Sequence, residues 1–301
     1  MTRRSTFAQL CWESDGRDWP NRDCSQFVAA GGLRWHVQQF GQGPVALLLH
    51  GTGAATHSWR DLAPMLAGSF RVIALDLPGH GFTNAPEDEA GFSLQGMAEA
   101  CGALLGVLNV EPTVVIGHSA GAAILARMCR EGLLRPDALV SLNGALLPLE
   151  GARGMVFAPV SRLIGGSVLL PRTFAWLASR TPYVRKILAE TGSNIDRRGA
   201  DLYQRLASSP RHVASALRMM ANWDLQTMGR DLQQLRTPLT LITGENDRTI
   251  PPADSQRVRA LSPTARLILL PELGHLAHEE NPALVAELVR QILESRVVEF
   301  P

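Results

Sequence analysis

The stretch of sequence that decides the fold is TVVIGHSAGAAILARM, residues 113–128. It opens with a short apolar run and ends in an alanine-rich segment of helical character. Between the two lies Gly117-His118-Ser119-Ala120-Gly121, a G-x-S-x-G sequence, which predicts a sharp strand-to-helix turn with Ser119 at its tip. Glycines on both sides allow the backbone to approach other elements closely and leave the hydroxyl exposed. The sequence therefore predicts a nucleophilic serine at the end of a buried strand.

Apolar runs of the same kind recur on both sides of this stretch. Continuous rather than alternating apolarity is typical of strands buried on both faces, as in a parallel sheet. A hairpin with Gly31-Gly32 at its turn precedes them, and helical patterns separate them, so we predict an α/β fold with a doubly wound sheet. The runs are Val45–Gly51, Arg71–Gly79, Ala138–Gly144, Leu239–Asp247 and Ala265–His275. The helical patterns are Ser58–Ala67, Ser93–Leu108, Ala120–Gly132, Asp254–Leu261 and Pro282–Glu294.

One interval breaks the alternation of strands and helices. From about Leu146 to Arg236 no strand is indicated, and three helices are predicted: Phe174–Leu188, Ala200–Ala207 and His212–Asn222. We interpret the prolines of this interval, Pro171 and Pro210 among them, as helix breakers. The predicted domains are residues 1–145 and 237–301 as the two parts of the core, with 146–236 as a helical cap inserted over the carboxyl edge of the sheet.

Composition narrows the class of protein. Of 301 residues, 46% are hydrophobic and 19% charged, and the net charge is +1, which disfavours disorder and nucleic-acid binding. No run of 18 apolar residues and no secretory h-region occurs, so membrane spanning and secretion are not expected. Four widely spaced cysteines indicate reduced thiols and a cytoplasmic protein. Membrane contact is expected to be absent or peripheral, with the apolar stretch Gly154–Leu170 as the candidate.

A serine nucleophile needs a base, and the base needs a carboxylate that orients it. The candidate base is His275, just after a predicted strand, and the candidate carboxylate is Asp247, also at a strand end. The order Ser119, Asp247, His275 along the chain is one in which such triads occur.

Other residues compete for these roles. His278 lies one helical turn after His275, but Glu279 and Glu280 beside it indicate a solvated helix start. Glu245 lies closer to its strand than Asp247 and is expected to cap the turn. Asp76 follows a strand within a Pro- and Gly-rich loop, which favours a structural role, and His118 is expected to pack rather than to catalyse.

The third requirement is a pair of donors for the oxyanion that develops on the substrate. The backbone N–H of Ala120 follows the nucleophile and opens a helix. The second donor is expected in His50-Gly51-Thr52-Gly53, where we assign the N–H of Thr52, with that of Gly53 as the alternative. The competing interpretation of this glycine-rich segment is a simple turn that ends a strand. No metal-binding, P-loop or dinucleotide motif is present, and we predict neither a cofactor nor a metal.

Five motifs taken together resemble the α/β-hydrolase superfamily: HGTG (50–53), DLPGHGFT (76–83), GHSAG (117–121), GENDRTIP (244–251) and GHLAHEENP (274–282). They lie in the family's order across about residues 25–295. The resemblance implies an eight-stranded, mostly parallel sheet flanked by helices, a helical cap, a catalytic triad of Ser119, His275 and Asp247, and oxyanion donors at Thr52 and Ala120.

A narrower resemblance covers nearly the whole chain. The chain resembles the magnesium-chelatase accessory proteins of bacteriochlorophyll biosynthesis in phototrophic bacteria in four segments: residues 18–41, 50–60, 117–128 and 190–199 (ETGSNIDRRG). This resemblance implies a role around the insertion of magnesium into protoporphyrin and makes magnesium-chelatase subunits candidate partners. It does not supply a reaction.

Three hypotheses of function follow. The first is a serine hydrolase that cleaves an ester or related acyl bond of a small molecule, apolar or tetrapyrrole-like. Arg153, Arg162, Arg172 and Arg180 are candidates for contacts to substrate carboxylates, against the interpretation that they lie on solvated helix faces. The second is a non-catalytic accessory protein that binds a tetrapyrrole or chelatase subunits. The third keeps the triad but uses it for C–C bond hydrolysis or cofactor-free perhydrolysis, because fold and motifs alone do not define a substrate.

Overall fold

Eight strands form one sheet in the computed structural model, which describes residues 10–148, 169–181 and 183–297. The strands are β1 (Ser25–Ala30), β2 (Leu33–Phe40), β3 (Val45–Leu49), β4 (Arg71–Leu75), β5 (Val114–His118), β6 (Ala138–Leu142), β7 (Leu239–Gly244) and β8 (Ala265–Leu270). Their order across the sheet is β1-β2-β4-β3-β5-β6-β7-β8. Strands β1 and β2 pair antiparallel, as do β2 and β4, and all other pairs are parallel. The predicted α/β fold with a mostly parallel sheet is confirmed.

Helices connect and cover the strands. They are α1 (Trp12–Asp15), α2 (Leu62–Leu66), α3 (Leu94–Leu108), α4 (Ala120–Arg130), α5 (Leu169–Arg180), α6 (Tyr183–Glu190), α7 (Arg197–Ala207), α8 (Pro210–Ala221), α9 (Met228–Gln233), α10 (Pro252–Leu261), α11 (Ala277–Glu280) and α12 (Pro282–Val297). Short 3₁₀ helices span Arg22–Cys24, Thr56–Trp59 and Ala90–Phe92. The predicted helix Ser58–Ala67 is therefore a 3₁₀ turn followed by the short α2.

The continuous apolar runs are buried on both faces of the sheet, as their composition predicts. In β3, Leu47 and Leu49 belong to one apolar core and Leu48 to a second core on the opposite face, because successive side chains of a strand point to opposite sides. The first core lies under α3 and α4, and the second lies under α2 and α12. The parallel strands therefore end together at one carboxyl edge, which carries the predicted site residues.

Between β6 and β7 the described chain is helical, and we call α5 to α9 the inserted helices. The predicted helix Phe174–Leu188 is in fact two helices, which are separated around residue 181. Two of the prolines interpreted as breakers begin helices instead: Pro171 lies in the first turn of α5 and Pro210 is the first residue of α8. Proline is tolerated there because the first N–H groups of a helix have no partner within it. The assignment of 146–236 as a cap domain stays a prediction.

Candidate active site

Ser119 lies between β5 and α4 with a strained backbone. Its φ is 51° and its ψ is −118°, outside the regions that residues with a side chain ordinarily adopt. Strain of this kind costs on the order of 1–3 kcal/mol and persists only where the surroundings enforce it. The side chain is half-buried. The predicted strand-to-helix turn is thus present, with the serine at its tip.

The two glycines of the motif are required by close contacts. A Cβ on Gly117 would lie 2.4 Å from the backbone N of Ala122, and one on Gly121 would lie 2.2 Å from the carbonyl oxygen of Leu49. Both distances are shorter than any van der Waals contact, so a side chain at either position would push α4 away from the sheet. The glycines therefore allow α4 to pack closely enough to form the strained turn.

Asp247 and His275 meet at the carboxyl ends of β7 and β8. Nδ1 of His275 lies 2.8 Å from Oδ2 of Asp247, and both side chains are buried. The other carboxylate oxygen, Oδ1, accepts the N–H groups of Thr249 at 2.8 Å and Ile250 at 2.9 Å. With one oxygen occupied by backbone donors, the carboxylate is held in one orientation and presents Oδ2 to the histidine.

A fourth contact to this carboxylate was not predicted. Asn143, immediately after β6, donates from Nδ2 to Oδ2 of Asp247 at 2.8 Å, and its backbone is left-handed with a φ of 47°. Asparagine tolerates this conformation better than most residues. The Asn-Gly pair at the end of an apolar run was a signal for a turn, but its partner lies 104 residues away in sequence.

Ser119 and His275 are not hydrogen-bonded to each other. Among the described residues, neither Oγ of Ser119 nor Nε2 of His275 makes a hydrogen bond. The ring of His118, the residue before the serine, lies 4.7 Å from the ring of His275. Catalytic hydrogen bonds are often long without substrate and shorten when it binds. The structure thus brings Asp247 and His275 into contact and packs His118, the neighbour of Ser119, against the ring of His275.

The two predicted oxyanion donors flank the serine. Ala120 is the first residue of α4, so its N–H has no partner within the helix. Gly51, before Thr52, lies against the serine: a Cβ there would be 2.8 Å from Cβ of Ser119. Within the described residues the N–H of Thr52 has no acceptor. The N–H of Ala120 thus has no partner within α4 and that of Thr52 has none among the described residues, which is compatible with the predicted role as oxyanion donors.

Two histidines hold the loop that contains Thr52. His50 accepts the N–H of Leu77 at Nε2 (2.9 Å), which leaves Nδ1–H to donate to the carbonyl of Gly51 at 2.7 Å. His212, from α8, accepts the N–H of Gly81 at Nδ1 (3.1 Å) and donates from Nε2 to the carbonyl of Gly53 at 3.1 Å. Burial lowers the pKa of His212 to about 4, so the neutral form makes these bonds.

The expectation for His278 and its neighbours was wrong. His278 and Glu279 are buried rather than solvated. Nε2 of His278 donates to Oγ of Ser58 at 2.8 Å, and its ring lies 4.5 Å from that of His118, which packs as predicted. Burial lowers the pKa of His278 to about 3. His275, not His278, therefore faces Asp247.

Glu279 is buried because Arg60 and two hydroxyls meet it. Its carboxylate accepts hydrogen bonds from Oγ of Ser58 and from the phenol of Tyr203, both at 2.7 Å, and it pairs with the guanidinium of Arg60. Arg60 also contacts Asp61 and, on the inserted helices, Asp196. This buried pair links the loop after β3, the segment after His275 and α7.

Replacing Glu279 by alanine is expected to destabilise the protein strongly. Arg60 would keep only its exposed partners, and breaking a buried ion pair by removing one charge costs about 3–5 kcal/mol. The control is Asp61→Ala, which removes an exposed partner of the same arginine and should cost less than about 1 kcal/mol. The free energy of unfolding in urea measures both. Equal losses in the two variants would contradict the assignment of Glu279 as the partner that holds Arg60.

The sequence of residues 46–288 matches the alpha/beta hydrolase family. The chain belongs to this family. The magnesium-chelatase 30 kDa subunit of Rhodobacter capsulatus is 39% identical over 268 residues, which cover 87% of this chain and 92% of that protein. Among solved structures, a putative lipase from Acinetobacter baumannii superposes with a TM-score of 0.77 at 17% identity, covering 96% of this chain and 98% of the lipase. A serine hydrolase involved in carbazole degradation superposes with a TM-score of 0.71 at 21% identity, covering 90% and 98%.

The other carboxylates considered for the role of Asp247 lie elsewhere. Glu245 is exposed. Asp76 is buried and accepts bonds from His36 at 2.8 Å and from the N–H groups of Thr56 and Phe82. Burial by itself would raise the pKa of Asp76, but His36, His50 and the N–H of Phe82 together lower it. Asp76 therefore binds two loops to β2, which agrees with the structural role predicted for it.

Apolar side chains pack around the residue after Ser119. Ala120 belongs to the same apolar core as Leu146 and, from α8, Met219. Oγ1 of Thr52 contacts Sδ of Met219 at 3.6 Å. Of the arginines considered for substrate contacts, Arg153 and Arg162 lie outside the described residues, and Arg180 is exposed over the ring of Trp176 at 5.2 Å. The described surroundings of Ser119 are thus more apolar than charged.

Neither a metal centre nor a membrane-spanning helix is found in the part of the chain that the structure describes. Within the described ranges no three side chains of His, Cys, Asp or Glu are grouped so that they could hold a metal ion. Across the same ranges no helix combines the length and the apolar character needed to span a membrane. The stretch Gly154–Leu170, considered for peripheral membrane contact, lies almost entirely outside the described residues.

Proposed function

We propose that this protein is a serine hydrolase that cleaves an ester or related acyl bond. The observation that carries the proposal is the contact between His275 and the Asp247 carboxylate, both of whose oxygens accept hydrogen bonds. The strained turn that carries Ser119 lies next to this histidine through His118. A serine hydroxyl becomes nucleophilic only next to a base that is itself oriented.

In the proposed mechanism His275 takes the proton of Ser119 as the hydroxyl attacks the acyl carbon. Asp247 keeps the Nδ1–H tautomer, so that Nε2 is free to accept the proton, and it stabilises the imidazolium that forms. The N–H groups of Thr52 and Ala120 bind the oxyanion of the tetrahedral intermediate. His275 then protonates the leaving group and activates the water that releases the acyl group.

The apolar surroundings of Ser119 favour an apolar acyl substrate, and the similarity to the magnesium-chelatase subunit favours a tetrapyrrole-like one. We place the reaction at or near the magnesium-chelatase step of bacteriochlorophyll biosynthesis, with chelatase subunits as candidate partners. All four cysteines are free thiols: Cys11, Cys24, Cys101 and Cys129. Free thiols support the proposal that the protein is cytoplasmic.

Labelling with a fluorophosphonate tests the proposal, because this probe reacts with activated serines. We expect stoichiometric labelling of the wild type, with the modified peptide containing Ser119. Ser119→Ala and His275→Ala should not label, since one lacks the nucleophile and the other its base. Ser14→Ala, which removes an exposed serine, is the control and should label like the wild type.

A second candidate is an accessory role without catalysis, which the 39% identity to a chelatase subunit favours. A folded wild type that does not label would reject the hydrolase proposal and support this candidate. Binding of protoporphyrin and of purified magnesium-chelatase subunits would then be measured directly. C–C bond hydrolysis and perhydrolysis use the same residues, so substrate assays of the unmodified wild type separate them from ester hydrolysis.

A further inference from the structure

The turn Thr191–Asn194, between α6 and α7, contacts both loops that carry Asp247 and His275. It belongs to residues 190–199, ETGSNIDRRG, a segment that the proposed mechanism does not use. The contacts fall on the immediate neighbours of the two side chains, which lie at the ends of the adjacent strands β7 and β8.

On the side of Asp247, the turn touches the residue before and the residue after. Gly192 has a φ of +86°, and a Cβ on it would lie 1.9 Å from the carbonyl oxygen of Asn246. The N–H of Arg248 donates to the carbonyl of Thr191 at 3.1 Å. Only glycine fits this left-handed position against the backbone. Asp247 is thus held between two residues that the turn fixes.

The turn likewise contacts the residues before and after His275. The N–H of Leu276 donates to Oγ of Ser193 at 2.8 Å, and Ser193 is buried. A Cβ on Gly274 would lie 2.4 Å from the carbonyl carbon of Gly192. The backbone on both sides of His275 therefore rests on the same two residues of the turn, Gly192 and Ser193.

The carboxylate of Glu280 connects the turn to the loop that carries His275. Glu280 accepts the N–H of Asn194 at 2.9 Å through Oε2 and the N–H of Gly274 at 2.8 Å through Oε1. It bridges the turn and the histidine loop with two charge-assisted bonds, which are stronger than bonds between neutral groups.

The rest of the segment anchors the turn to the core. Asp196 caps α7 by accepting the N–H of Gly199 at 2.7 Å, and it also binds Nη2 of Arg60 at 3.0 Å. A Cβ on Gly199 would lie 2.6 Å from Nη2 of Arg60, so glycine is needed for the guanidinium to fit. Arg60 in turn pairs with Glu279, four residues after His275.

We propose that the turn Thr191–Asn194 is a positioning element that sets the distance between Asp247 and His275, with Ser193 as its positioning residue. The proposal rests on the proposed hydrolase function, in which that distance decides the reactivity of Ser119. A displacement of about 1 Å can reduce a rate about 10²-fold. The catalytic pair is then complete only when α6 and α7 are in place, although neither helix supplies a catalytic residue.

The test compares Ser193→Ala with Ser193→Thr, which keeps the hydroxyl. We expect the second-order rate constant for fluorophosphonate labelling to fall about tenfold in Ser193→Ala, with a shifted midpoint in its pH profile, and to recover towards the wild-type value in Ser193→Thr. The control is Ser262→Ala, which removes another buried serine hydroxyl, one whose partner is Thr264. It should label at the wild-type rate with the wild-type pH profile.

A second measurement does not depend on hydrolysis. The proton on Nδ1 of His275 gives a downfield NMR resonance while it is bonded to Asp247, and we expect this resonance to shift or broaden in Ser193→Ala but not in Ser262→Ala. If the wild type does not label, the hydrolase proposal fails and this resonance still decides the positioning role. An unchanged resonance, or wild-type labelling with an unchanged pH profile in Ser193→Ala, would overturn it. If Ser193→Ala folds poorly, Ser193→Cys replaces it in the test. Its labelling rate constant should fall less than that of Ser193→Ala, because a thiol still accepts a hydrogen bond but more weakly than a hydroxyl.

Discussion

Asp247→Asn is expected to lower the reactivity of Ser119 about 10⁴-fold while leaving the protein folded. All four partners of the Asp247 carboxylate donate to it: the N–H groups of Thr249 and Ile250 at Oδ1, and Asn143 and His275 at Oδ2. In the variant, the carbonyl oxygen stays with the two backbone donors, so the new NH₂ group faces both His275 and Asn143, and the Asn143 amide must turn to present its unpartnered Oδ1. The histidine must then accept at Nδ1 and carry its proton on Nε2, where it cannot take the proton of Ser119.

The measurement is the second-order rate constant for fluorophosphonate labelling, with the melting temperature as the check on folding. Glu245→Gln is the matched control, because it neutralises an exposed carboxylate two residues away and should label normally. A rate for Asp247→Asn within tenfold of the wild type would show that Asp247 does not set the tautomer of His275, and the proposed mechanism would fail.

Mild acid is expected to unfold the protein. All eight of its histidines are buried, and in six of them burial is the leading cause of a lowered pKa: His50, His57, His80, His118, His212 and His278. In the unfolded chain these groups titrate near pH 6.5. Below that pH the unfolded state binds more protons than the folded state, so stability falls as the pH falls.

The expected size of this effect is large. Each histidine contributes a slope of up to about 1.4 kcal/mol per pH unit while the pH stays above its folded-state pKa, and the slopes of several such histidines add. For two of these histidines the free energy of unfolding stops falling only when the pH drops below the folded-state pKa, about 4 for His212 and about 3 for His278. Typical domains are stable by only about 5–15 kcal/mol. We therefore expect unfolding between about pH 6 and pH 4.5.

The midpoint of urea unfolding, followed by circular dichroism from pH 8 to pH 5, measures this dependence. His57→Phe is the diagnostic variant. Neither ring nitrogen of His57 has a partner among the described residues, and its ring packs at 4.4 Å against that of Tyr203. The variant should be at least as stable at pH 7 and should lower the slope by about 1.4 kcal/mol per pH unit. A wild type whose stability is flat from pH 7 to pH 5 would contradict the prediction.

Local patterns were sufficient for the sheet and for the chain positions of the candidate site. The apolar runs that end in Ser119, Asp247 and His275 predicted strands whose ends lie at one edge, because parallel strands share a carboxyl edge. The glycines of GHSAG predicted close backbone approach, which the contacts of Gly117 and Gly121 explain. Signals of this kind depend only on neighbours in sequence.

Local patterns failed where the partner was remote. His278 and Glu279 were interpreted as a solvated helix start because charges at a helix end are usually exposed. Glu279 is buried instead because Arg60, 219 residues away in sequence, pairs with it. Pro171 and Pro210 were interpreted as breakers, although a proline in the first turn of a helix is tolerated.

The sequence by itself determined the α/β class, the mostly parallel sheet and the order in which Ser119, Asp247 and His275 follow their strands. Only the tertiary structure decided which groups hold those side chains in place: Asn143 on Asp247, His212 on the loop of Thr52, and Ser193 beside His275. Periodicity and turn residues act over a few positions and so can be read along the chain. Hydrogen bonds between buried groups join residues brought together only when the apolar core forms, and no local pattern records them.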